Sequence, residues 1–480
     1  MTSRAGGEVA VVGAGWAGLA AAIHLVRAGR RVLLIDAAPQ AGGRARRITL
    51  DWKHPLHGAG PVELDNGQHL LIGAYTEVLE LIELLGALDD AHLERRPLRL
   101  AGSSGLLLER RETGAGRGPH GARLAGRLLV PLSPLFALLR ARGLSSGARW
   151  AMVRALAVLR LHDWKAPAGV RTVADWYAHA RQPAELVERV WQPLAISALN
   201  TPADSACAAT FIRVLRDSLG GPPAASDFVL PRRDLSDLFV EPAIAWLRRH
   251  GARLMLRTDI RRLERGSTQR YRLAIGGGSP QAPVAVDCHD VVLATPPYAT
   301  ARLLAGVADS GLIATLNAFA YLPITTAYLG WPQREAQDQA PDQVPAQLPA
   351  LLALAESAAR QRYAQWFFDR GVQAHWRIAA MVLSDSRVAR ELGDARLRQV
   401  LVSQVVEELG LPVPQQLSLI HEKRATLACT PDRPRLSATS ASAQLPGLVL
   451  AGDYAYGDYP ATLEGAVRSG RAAAAALADG

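Results

Sequence analysis

Glycines and a carboxylate near the start of the chain have the types and spacing that bind a dinucleotide. Gly13, Gly15 and Gly18 follow an apolar run. Without Cβ atoms, they let a pyrophosphate lie against the next helix N-terminus, whose free N–H groups and dipole favour anions. Asp36 ends a second apolar run roughly 20 residues later, where a carboxylate accepts hydrogen bonds from an adenosine ribose. The pattern predicts an adenine-dinucleotide site; the alternative is an ordinary βαβ turn.

A second glycine pair follows soon after this carboxylate. Gly42 and Gly43 precede Arg44. Two glycines allow close backbone approach to a second phosphate region, and the guanidinium neutralises its charge. The alternative is an arginine that is solvated on a surface loop.

A strand-like run near the C-terminus ends in Gly452 and Asp453, and residues 460–466 open the last helix. A carboxylate there suits a polyol such as a ribityl chain, and the helix N-terminus offers N–H groups to a ring carbonyl. This arrangement favours a flavin, because a nicotinamide cofactor needs no such cradle. Glu464 has the alternative role of a helix cap. We therefore predict FAD, bound by the following residues: Gly13, Gly15, Trp16, Ala17, Gly18, Asp36, Ala37, Gly43, Arg44, Gly67, Gln68, Ile260, Gly452, Asp453, Thr462, Leu463 and Glu464.

A polar turn at residues 63–69 is expected to face the flavin and carries groups for proton transfer. His69 is a candidate proton donor, because the unperturbed pKa of a histidine lies near neutral pH. Asp65 would orient the turn or His69, and Tyr459, beside Asp458, lies just before the last helix. The catalytic candidates are therefore His69, Asp65 and Tyr459. The alternative for His69 is a structural hydrogen bond that holds the turn.

The elements that must position these groups are not contiguous. Short apolar runs bounded by Gly or Pro recur near both ends and in the middle of the chain, at 9–12, 32–35, 253–256, 291–294 and 448–451. We expect an α/β fold: a Rossmann-type FAD-binding domain built from three separated segments, with an inserted α+β substrate domain of mixed sheet and helices. The FAD-binding segments are 1–74, 241–297 and 445–480, and the substrate segments are 75–240 and 298–444.

Several elements are expected in the inserted domain. Helical patterns cover 75–85, 128–161, 173–199 and 387–409, and residues 93–108 indicate strands followed by a loop at 114–116. Residues 332–349 are rich in Pro, Gln and Asp and are typical of a surface loop.

Bulk composition limits the possible partners. The 480 residues exceed one compact core, and 54 Lys plus Arg against 44 Asp plus Glu give a net charge of +10. The arginines are dispersed and no nucleic-acid module is present, so contact with an anionic membrane surface is favoured over nucleic acid. Apolar residues alternate with arginines over 128–161, as in a helix on a membrane surface. The alternatives are an arginine-rich proteome and an ordinary solvated helix.

The same composition bears on metals and location. Three widely spaced cysteines without a CxxC motif indicate neither a disulfide framework nor a metal site. No signal peptide or uninterrupted apolar stretch of about 18–20 residues is present. We therefore expect a cytoplasmic protein, peripheral on the inner face of the cytoplasmic membrane.

With these motifs assembled, the chain resembles the flavin-containing amine oxidase and phytoene desaturase superfamily, and more closely its hydroxysqualene dehydroxylases. The resemblance rests on five regions that span most of the chain: 64–75, 191–194 with 198–202, 231–236, 452–454 and 459–466. The first of these is absent in this form from the wider superfamily.

The resemblance implies FAD and a hydrophobic C30 isoprenoid alcohol, hydroxysqualene, which is reduced to squalene for hopanoid biosynthesis. The chemistry needs an acid that releases water, a hydride from reduced flavin, and a dry apolar tunnel. Candidate tunnel residues, whose alternative role is core packing, are Trp176, Trp191, Phe211 and Trp246. Two alternatives stay open, a carotenoid or polyprenoid desaturase and a non-catalytic prenyl-lipid escort. The sequence does not specify the electron donor.

Overall fold

The computed structural model describes residues 7–109, 140–276, 285–333, 344–345 and 348–478. The expected loop at 114–116, the first part of the expected helix at 128–161, and most of the expected loop at 332–349 lie outside these ranges. The strands are β1 Val9–Val12, β2 Val32–Ile35, β3 Arg47–His54, β4 Gly58–Asp65, β5 Leu71–Ile72, β6 Leu93–Arg96, β7 Arg99–Ala101, β8 Leu107–Glu109, β9 Phe228–Pro231, β10 Arg253–Met255, β11 Asp259–Arg265, β12 Tyr271–Gly276, β13 Ala285–Cys288, β14 Asp290–Leu293, β15 Tyr321–Pro332, β16 Leu351–Ala353, β17 Trp366–Gln373, β18 Trp376–Ser384, β19 Gln416–Leu427 and β20 Leu448–Leu450.

The α-helices lie between these strands and at the C-terminal end. They are α1 Trp16–Arg27, α2 Thr76–Leu84, α3 Ser146–Leu161, α4 Val173–His179, α5 Ala184–Leu186, α6 Gln192–Leu199, α7 Ala208–Leu219, α8 Glu241–Arg249, α9 Pro297–Leu304, α10 Ser310–Asn317, α11 Arg387–Glu391, α12 Gly393–Leu409 and α13 Leu463–Ala478. Two π-helical turns, Val187–Trp191 and Ser236–Val240, lead directly into α6 and α8.

A five-stranded parallel sheet in the order β10-β2-β1-β14-β20 forms the centre of the nucleotide-binding unit. Strands β1, β2 and β14 are four-residue apolar runs, apart from Asp290, and every residue in them is buried. Burial on both faces is why these runs are continuous rather than alternating. Because the strands come from three distant parts of the chain, the predicted three-segment α/β fold is confirmed.

Small residues let α1 and α13 pack tightly on one face of this sheet. A Cβ atom on Gly470 of α13 would lie 2.4 Å from the Ala17 carbonyl oxygen of α1. On the opposite face, β11, β12 and β13 with α9 and α10 enclose a second core. The parallel sheet is therefore covered on both faces, which leaves its strand ends as the accessible edge.

The second unit is built on an antiparallel sheet in the order β16-β17-β18-β15-β19. The pairs between its named strands are all antiparallel, and a parallel bridge joins Gly102, just after β7, to Ala353 of β16 at the sheet edge. One face of the sheet packs with α3, α4, α6 and α7, and the other with α12.

Helix α2 follows the predicted border between the units, which we placed between residues 74 and 75. Helix α2, expected from the pattern at 75–85, is present, and its residues Val78, Leu81 and Ile82 pack in the nucleotide-binding core with α1 and α13. The division between residues 74 and 75 therefore stays a prediction.

Two long helices expected from the sequence are interrupted. The stretch at 173–199 breaks after α4, where Arg181 has a positive φ of 49° and Pro183 precedes α5. The stretch at 387–409 breaks at Leu392, between α11 and α12. The described part of 128–161 becomes helical at Ser146, where the Ser145 side chain accepts a hydrogen bond from Ala148 N.

We compared the helices with the length and apolar character that a membrane-spanning helix needs. Among the described residues, no helix combines the length and apolar character needed to cross a bilayer.

Candidate functional site

A groove follows the carboxyl ends of β1, β2, β14 and β20, where ligands of open α/β sheets bind. Gly13 has a φ of 108°, and a Cβ atom there would lie 2.5 Å from the Ala294 carbonyl oxygen. A Cβ atom on Gly15 would lie 3.8 Å from Cα of Gly43, so bare backbone forms the wall. Helix α1 begins beside it without a side-chain cap, which leaves its first N–H groups for an anion.

Asp36 is held at the groove by two backbone donors. Its carboxylate accepts hydrogen bonds from Ala14 N at 2.6 Å and Ala38 N at 2.7 Å. A carboxylate has about four acceptor positions, so it retains capacity for ligand hydroxyls. The geometry is compatible with the predicted ribose contact.

Arg44 joins three distant parts of the chain beside the groove. Its guanidinium forms an ion pair with Asp453 at 2.7 Å and donates to the Ala425 carbonyl oxygen at 2.8 Å. Burial opposes the charged form, but the adjacent Asp453 carboxylate outweighs it and raises the pKa of Arg44. The first glycine segment is thus tied to the C-terminal Gly-Asp turn.

Most of the predicted FAD-binding residues border this groove: Gly13, Gly15, Trp16, Ala17, Asp36, Ala37, Gly43, Arg44, Ile260, Gly452, Asp453, Thr462 and Leu463. Gly18 lies behind it, where a Cβ atom would meet the Gly13 carbonyl oxygen at 1.8 Å. Its geometry points to close packing of helix on strand. Gly67, Gln68 and Glu464 border an adjoining cavity. Ligand contacts of all these residues stay predictions.

The Glu464 carboxylate forms hydrogen bonds and an ion pair with other residues of the protein. It accepts from the backbone N–H groups of Glu77 at 3.1 Å and Val78 at 3.0 Å, and it pairs with Arg468 at 2.7 Å. A carboxylate at these donors caps α2 and complements its dipole. The structure therefore favours the capping alternative for its side chain.

The adjoining cavity is largely apolar and opens into the groove. Six residues border both spaces: Arg44, His69, Ala425, Ala461, Thr462 and Leu463. Alternate side chains on one face of the antiparallel sheet form a wall, joined by apolar side chains of α6 and α7: Ile324, Thr326, Trp366, Phe368, Val382, Leu194, Ala198, Phe211, Val214 and Leu215. A ligand in the groove and a second one in the cavity would meet at the shared residues.

His69 lies at this junction in a defined protonation state. Its Nδ1 is 2.6 Å from the Gly67 carbonyl oxygen, which only accepts, so Nδ1 carries the proton and neutral Nε2 is an acceptor. Burial lowers the pKa of His69 to about 4, and the Arg44 charge adds to that effect. The ring is neutral at pH 7. The structural hydrogen bond is present, and a role in proton transfer stays a prediction.

Asp65 is not in contact with either space. Its carboxylate accepts from Leu235 N at 2.8 Å and lies 3.6 Å from the Arg370 guanidinium. Burial raises the pKa of Asp65 to about 6 despite this cation. Because it borders neither the groove nor the cavity, its geometry fits the orienting role and gives it no access to a reacting atom.

Tyr459 borders the cavity, and its hydroxyl donates to the Asp217 carboxylate at 2.5 Å. Burial raises the pKa of Tyr459 to about 12. The neighbouring Asp458 is directed elsewhere and pairs with Arg213. Tyr459 therefore stays a candidate, and Asp217 is a cavity residue that the sequence analysis missed.

The aromatic candidates for the tunnel divide into three groups. Trp191 and Phe211 border the cavity. Trp176 lies behind Trp191, with ring centroids 5.3 Å apart. The prediction for Trp246 was wrong: it packs in the nucleotide-binding core and stacks on His250 at 3.9 Å, because α8 belongs to that core.

Other lining residues were missed in the sequence. Thr295, Pro296 and Arg302 border the groove just after β14. The rule that ligands bind beyond the carboxyl ends of parallel strands would have found the first two. Asn200 and Glu422 border the cavity, and only the folding of distant segments brings them there.

The protein binds FAD, and the observed site suits such a group. The glycine-walled groove accepts a pyrophosphate against α1, as described above. At the junction, Gln68 Oε1 is buried with no hydrogen-bond donor among the described residues, while Gln68 Nε2 donates to the His69 carbonyl oxygen. A flavin ring presents an N–H group that such an acceptor can bind. The residues present therefore fit the cofactor.

Fold and site together define an FAD-dependent oxidoreductase with an apolar cavity beside the cofactor groove. The chain belongs to the family of flavin-containing amine oxidoreductases, whose sequence profile matches residues 16–478. It is similar to proteins named hydroxysqualene dehydroxylase from Sinorhizobium fredii, at 26% identity, and Rhodopseudomonas palustris, at 28%, with 97% of each chain covered in both cases.

Two further similarities bear on the fold and on the alternatives. A protein named probable zeta-carotene desaturase from Synechococcus elongatus is 26% identical over 56% of this chain and 54% of its own. The solved structure of cyclohexylamine oxidase from Brevibacterium oxydans has a TM-score of 0.62 at 17% identity, covering 99% of both chains. At that identity the match supports the fold alone.

Proposed function

We propose that this protein reduces hydroxysqualene to squalene in an FAD-dependent dehydroxylation. The observation that carries the proposal is the apolar cavity that meets the FAD groove at the His69 turn. Two proteins named hydroxysqualene dehydroxylase, to which this chain is similar over nearly its full length, support this substrate. The C30 chain would lie along the apolar walls with its hydroxyl-bearing carbon at the junction.

The reaction replaces a C–O bond by a C–H bond, so the substrate gains a hydride and the departing hydroxide gains a proton to leave as water. When bound and reduced, FAD supplies hydride at its N5 position. Allylic delocalisation stabilises the carbon cation as the C–O bond breaks. Apolar side chains around the cavity keep bulk water away from that carbon.

In this proposal the proton is delivered by a residue near the junction of the groove and the cavity. His69 Nε2 is the atom that takes up a proton, and its lowered pKa makes the protonated ring a strong donor. Tyr459, hydrogen-bonded to Asp217, is the second candidate. Asp65 acts as a positioning residue for the turn.

A turnover experiment tests the function. Purified holoprotein is reduced without oxygen and given hydroxysqualene, and squalene is measured by mass spectrometry. We expect squalene formation in proportion to the reduced flavin, with oxidised holoprotein as the control. Absence of squalene from fully reduced, substrate-saturated protein would sink the proposal.

The second candidate is a carotenoid or polyprenoid desaturase, favoured by the similarity to the zeta-carotene desaturase. It moves hydride in the opposite direction, from substrate to oxidised flavin. Oxidised holoprotein with phytoene, and a measurement of new double bonds, separates the two. The lipid-escort alternative predicts a colourless protein that does not take up flavin.

We also propose that α3 rests on an anionic membrane surface. Met152 on its inner face borders the cavity, while Trp150 and Leu161 on its outer face are 65% and 81% exposed. Arg154 and Arg160 are exposed on the same helix. Exposed apolar side chains flanked by arginines suit the interface of an anionic bilayer, where a substrate dissolved in lipid would be available.

Vesicle binding tests this surface. The double variant Trp150→Ser with Leu161→Ser should lose most binding to vesicles containing phosphatidylglycerol and keep its turnover in detergent. The control is Leu56→Ser, a residue 71% exposed on the β3–β4 hairpin. Equal vesicle binding by wild type and double variant would contradict the proposal.

A further inference from the structure

The apolar cavity contains an unpaired hydroxyl close to the cofactor groove. Thr326 on β15 is 1% exposed and borders the cavity. Its Oγ1 lies 3.8 Å from the position a Cβ atom would take on Gly67, in the turn that carries His69. No residue in the described ranges forms a hydrogen bond with this hydroxyl.

Other buried hydroxyls around the cavity differ from Thr326, because each already has an acceptor. They donate to neighbouring oxygens: Ser226 to Pro223 O at 2.9 Å, Ser384 to Asn200 Oδ1 at 3.0 Å and Thr426 to Leu427 O at 3.5 Å. A buried hydroxyl without a partner costs free energy unless a ligand supplies one. Thr326 is therefore placed to bind a polar atom of the substrate.

A second polar group, Asn200, borders the cavity from the end of α6. Asn200 ends α6 in a left-handed conformation with φ of 47°. Ser384 Oγ donates to Asn200 Oδ1, and Ser384 N in turn donates to Gln365 Oε1 at 2.8 Å. This buried chain of hydrogen bonds fixes the amide with its Nδ2 donors unused among the described residues.

Backbone pairing brings the two groups to the same wall. Ile324 pairs with Ser384, and Thr326 pairs with Val382, so Thr326 and Ser384 are diagonal neighbours on one sheet face. Diagonal neighbours on paired strands lie about 7–8 Å apart. Asn200, bonded to Ser384, is therefore close to Thr326 along the cavity.

We propose that Thr326 and Asn200 are the residues that select a substrate with a hydroxyl group. The Thr326 hydroxyl binds the alcohol oxygen at the cofactor end, and the Asn200 amide donates to the same oxygen directly or through a water. A hydrocarbon of the same skeleton would leave both groups unpaired and would bind less tightly. The inference rests on the proposed function in taking an isoprenoid alcohol as the ligand.

Binding to oxidised holoprotein tests the inference without turnover. Immobilised protein is equilibrated with hydroxysqualene or squalene in detergent micelles, washed, and the retained ligand is quantified by mass spectrometry. We expect wild type to prefer the alcohol by at least roughly 10-fold. Thr326→Val, which keeps the shape, should remove most of this preference, and Thr326→Ser should retain it.

Two further variants make the outcome decisive. Asn200→Asp, which removes the amide donors and tolerates the left-handed backbone, should also weaken alcohol binding. Thr315→Val, on half-buried Thr315 of α10, is the matched control, because this residue borders neither the cavity nor the groove. The inference is overturned if wild type has no preference, or if Thr326→Val keeps it. Failure of the proposed function would appear differently, as an intact preference for alcohol without squalene formation by reduced protein.

Discussion

The FAD groove and the apolar cavity meet at His69 but are built from different parts of the polypeptide. The groove is walled by backbone at Gly13, Gly15 and Gly43, each in a loop that follows a strand or precedes a helix. The cavity is walled by side chains of α6, α7 and one face of the antiparallel sheet. A backbone wall depends on the absence of Cβ atoms at a few positions, whereas a side-chain wall is shared among many.

This difference predicts unequal sensitivity to substitution. One added methyl group at Gly13 collides with the Ala294 backbone and distorts the groove wall, since packed backbone cannot easily move aside. One changed side chain in the cavity alters affinity for an apolar substrate in small steps, because each contact contributes little. The following changes test that contrast.

Gly13→Ala should have the largest effect. The added Cβ atom would lie 2.5 Å from the Ala294 carbonyl oxygen, and we expect protein without bound flavin, measured by its visible absorbance. Gly29→Ala is the control, because Gly29 also has a positive φ, 79°, but nothing lies within 4 Å of its Cβ position. That variant should lose about 1 kcal/mol of unfolding free energy and keep FAD. Equal flavin content in the two variants would contradict the account of the groove.

Arg44→Met should weaken FAD binding by roughly 10-fold to 100-fold, because Asp453 loses its ion-pair partner in a mostly buried position. The dissociation constant is measured by titrating apoprotein with FAD. Arg31→Met, at an exposed arginine, is the control. An unchanged dissociation constant for Arg44→Met would show that the ion pair between Arg44 and Asp453 does not contribute to FAD binding.

Leu194→Asn should raise the KM for the isoprenoid by roughly 10-fold and leave flavin content unchanged, since Leu194 borders the cavity and not the groove. Leu88→Asn, at an exposed leucine between α2 and β6, provides the control. A loss of flavin from Leu194→Asn would mean that the two regions are not separable.

The smallest expected effect is on acid stability. Because the pKa of His69 is about 4 in the folded protein, the unfolded chain binds its proton first as pH falls below about 6.5. Unfolding free energy should therefore fall between about pH 6.5 and 4; the full shift corresponds to roughly 3 kcal/mol, and solvent access to the partly exposed ring reduces it to on the order of 1 kcal/mol. Asp65, with a pKa raised to about 6, acts in the opposite direction over a similar range.

Comparison with His69→Gln isolates the histidine, because Asp65 is present in both proteins. Urea unfolding at a series of pH values should show the wild-type protein losing more stability than the variant as pH falls. Parallel curves would mean that the pKa of His69 is close to its ordinary value.

Local patterns were sufficient for the parallel sheet and most of the groove. The strands at Val9–Val12, Val32–Ile35 and Leu448–Leu450 are apolar runs ended by glycine or aspartate, and each is recognisable within about ten residues of sequence. The helix breaks near Arg181 and Leu392 were not predicted, although Pro183 and Gly393 beside them are local helix-breaking signals. The antiparallel character of the second sheet depends on pairing between distant strands.

The sequence by itself determined a three-segment FAD-binding fold and the glycine and carboxylate positions of its groove, because those signals are short-range and chemically restrictive. Tertiary structure decided the rest. The fold buries His69, which lowers the pKa of its ring, and it places Trp246 in the nucleotide-binding core. It also brings the Glu464 carboxylate to the N-terminus of α2, where it accepts a hydrogen bond from Val78 N. Burial and pairing between residues hundreds of positions apart set these outcomes, and no local pattern encodes them.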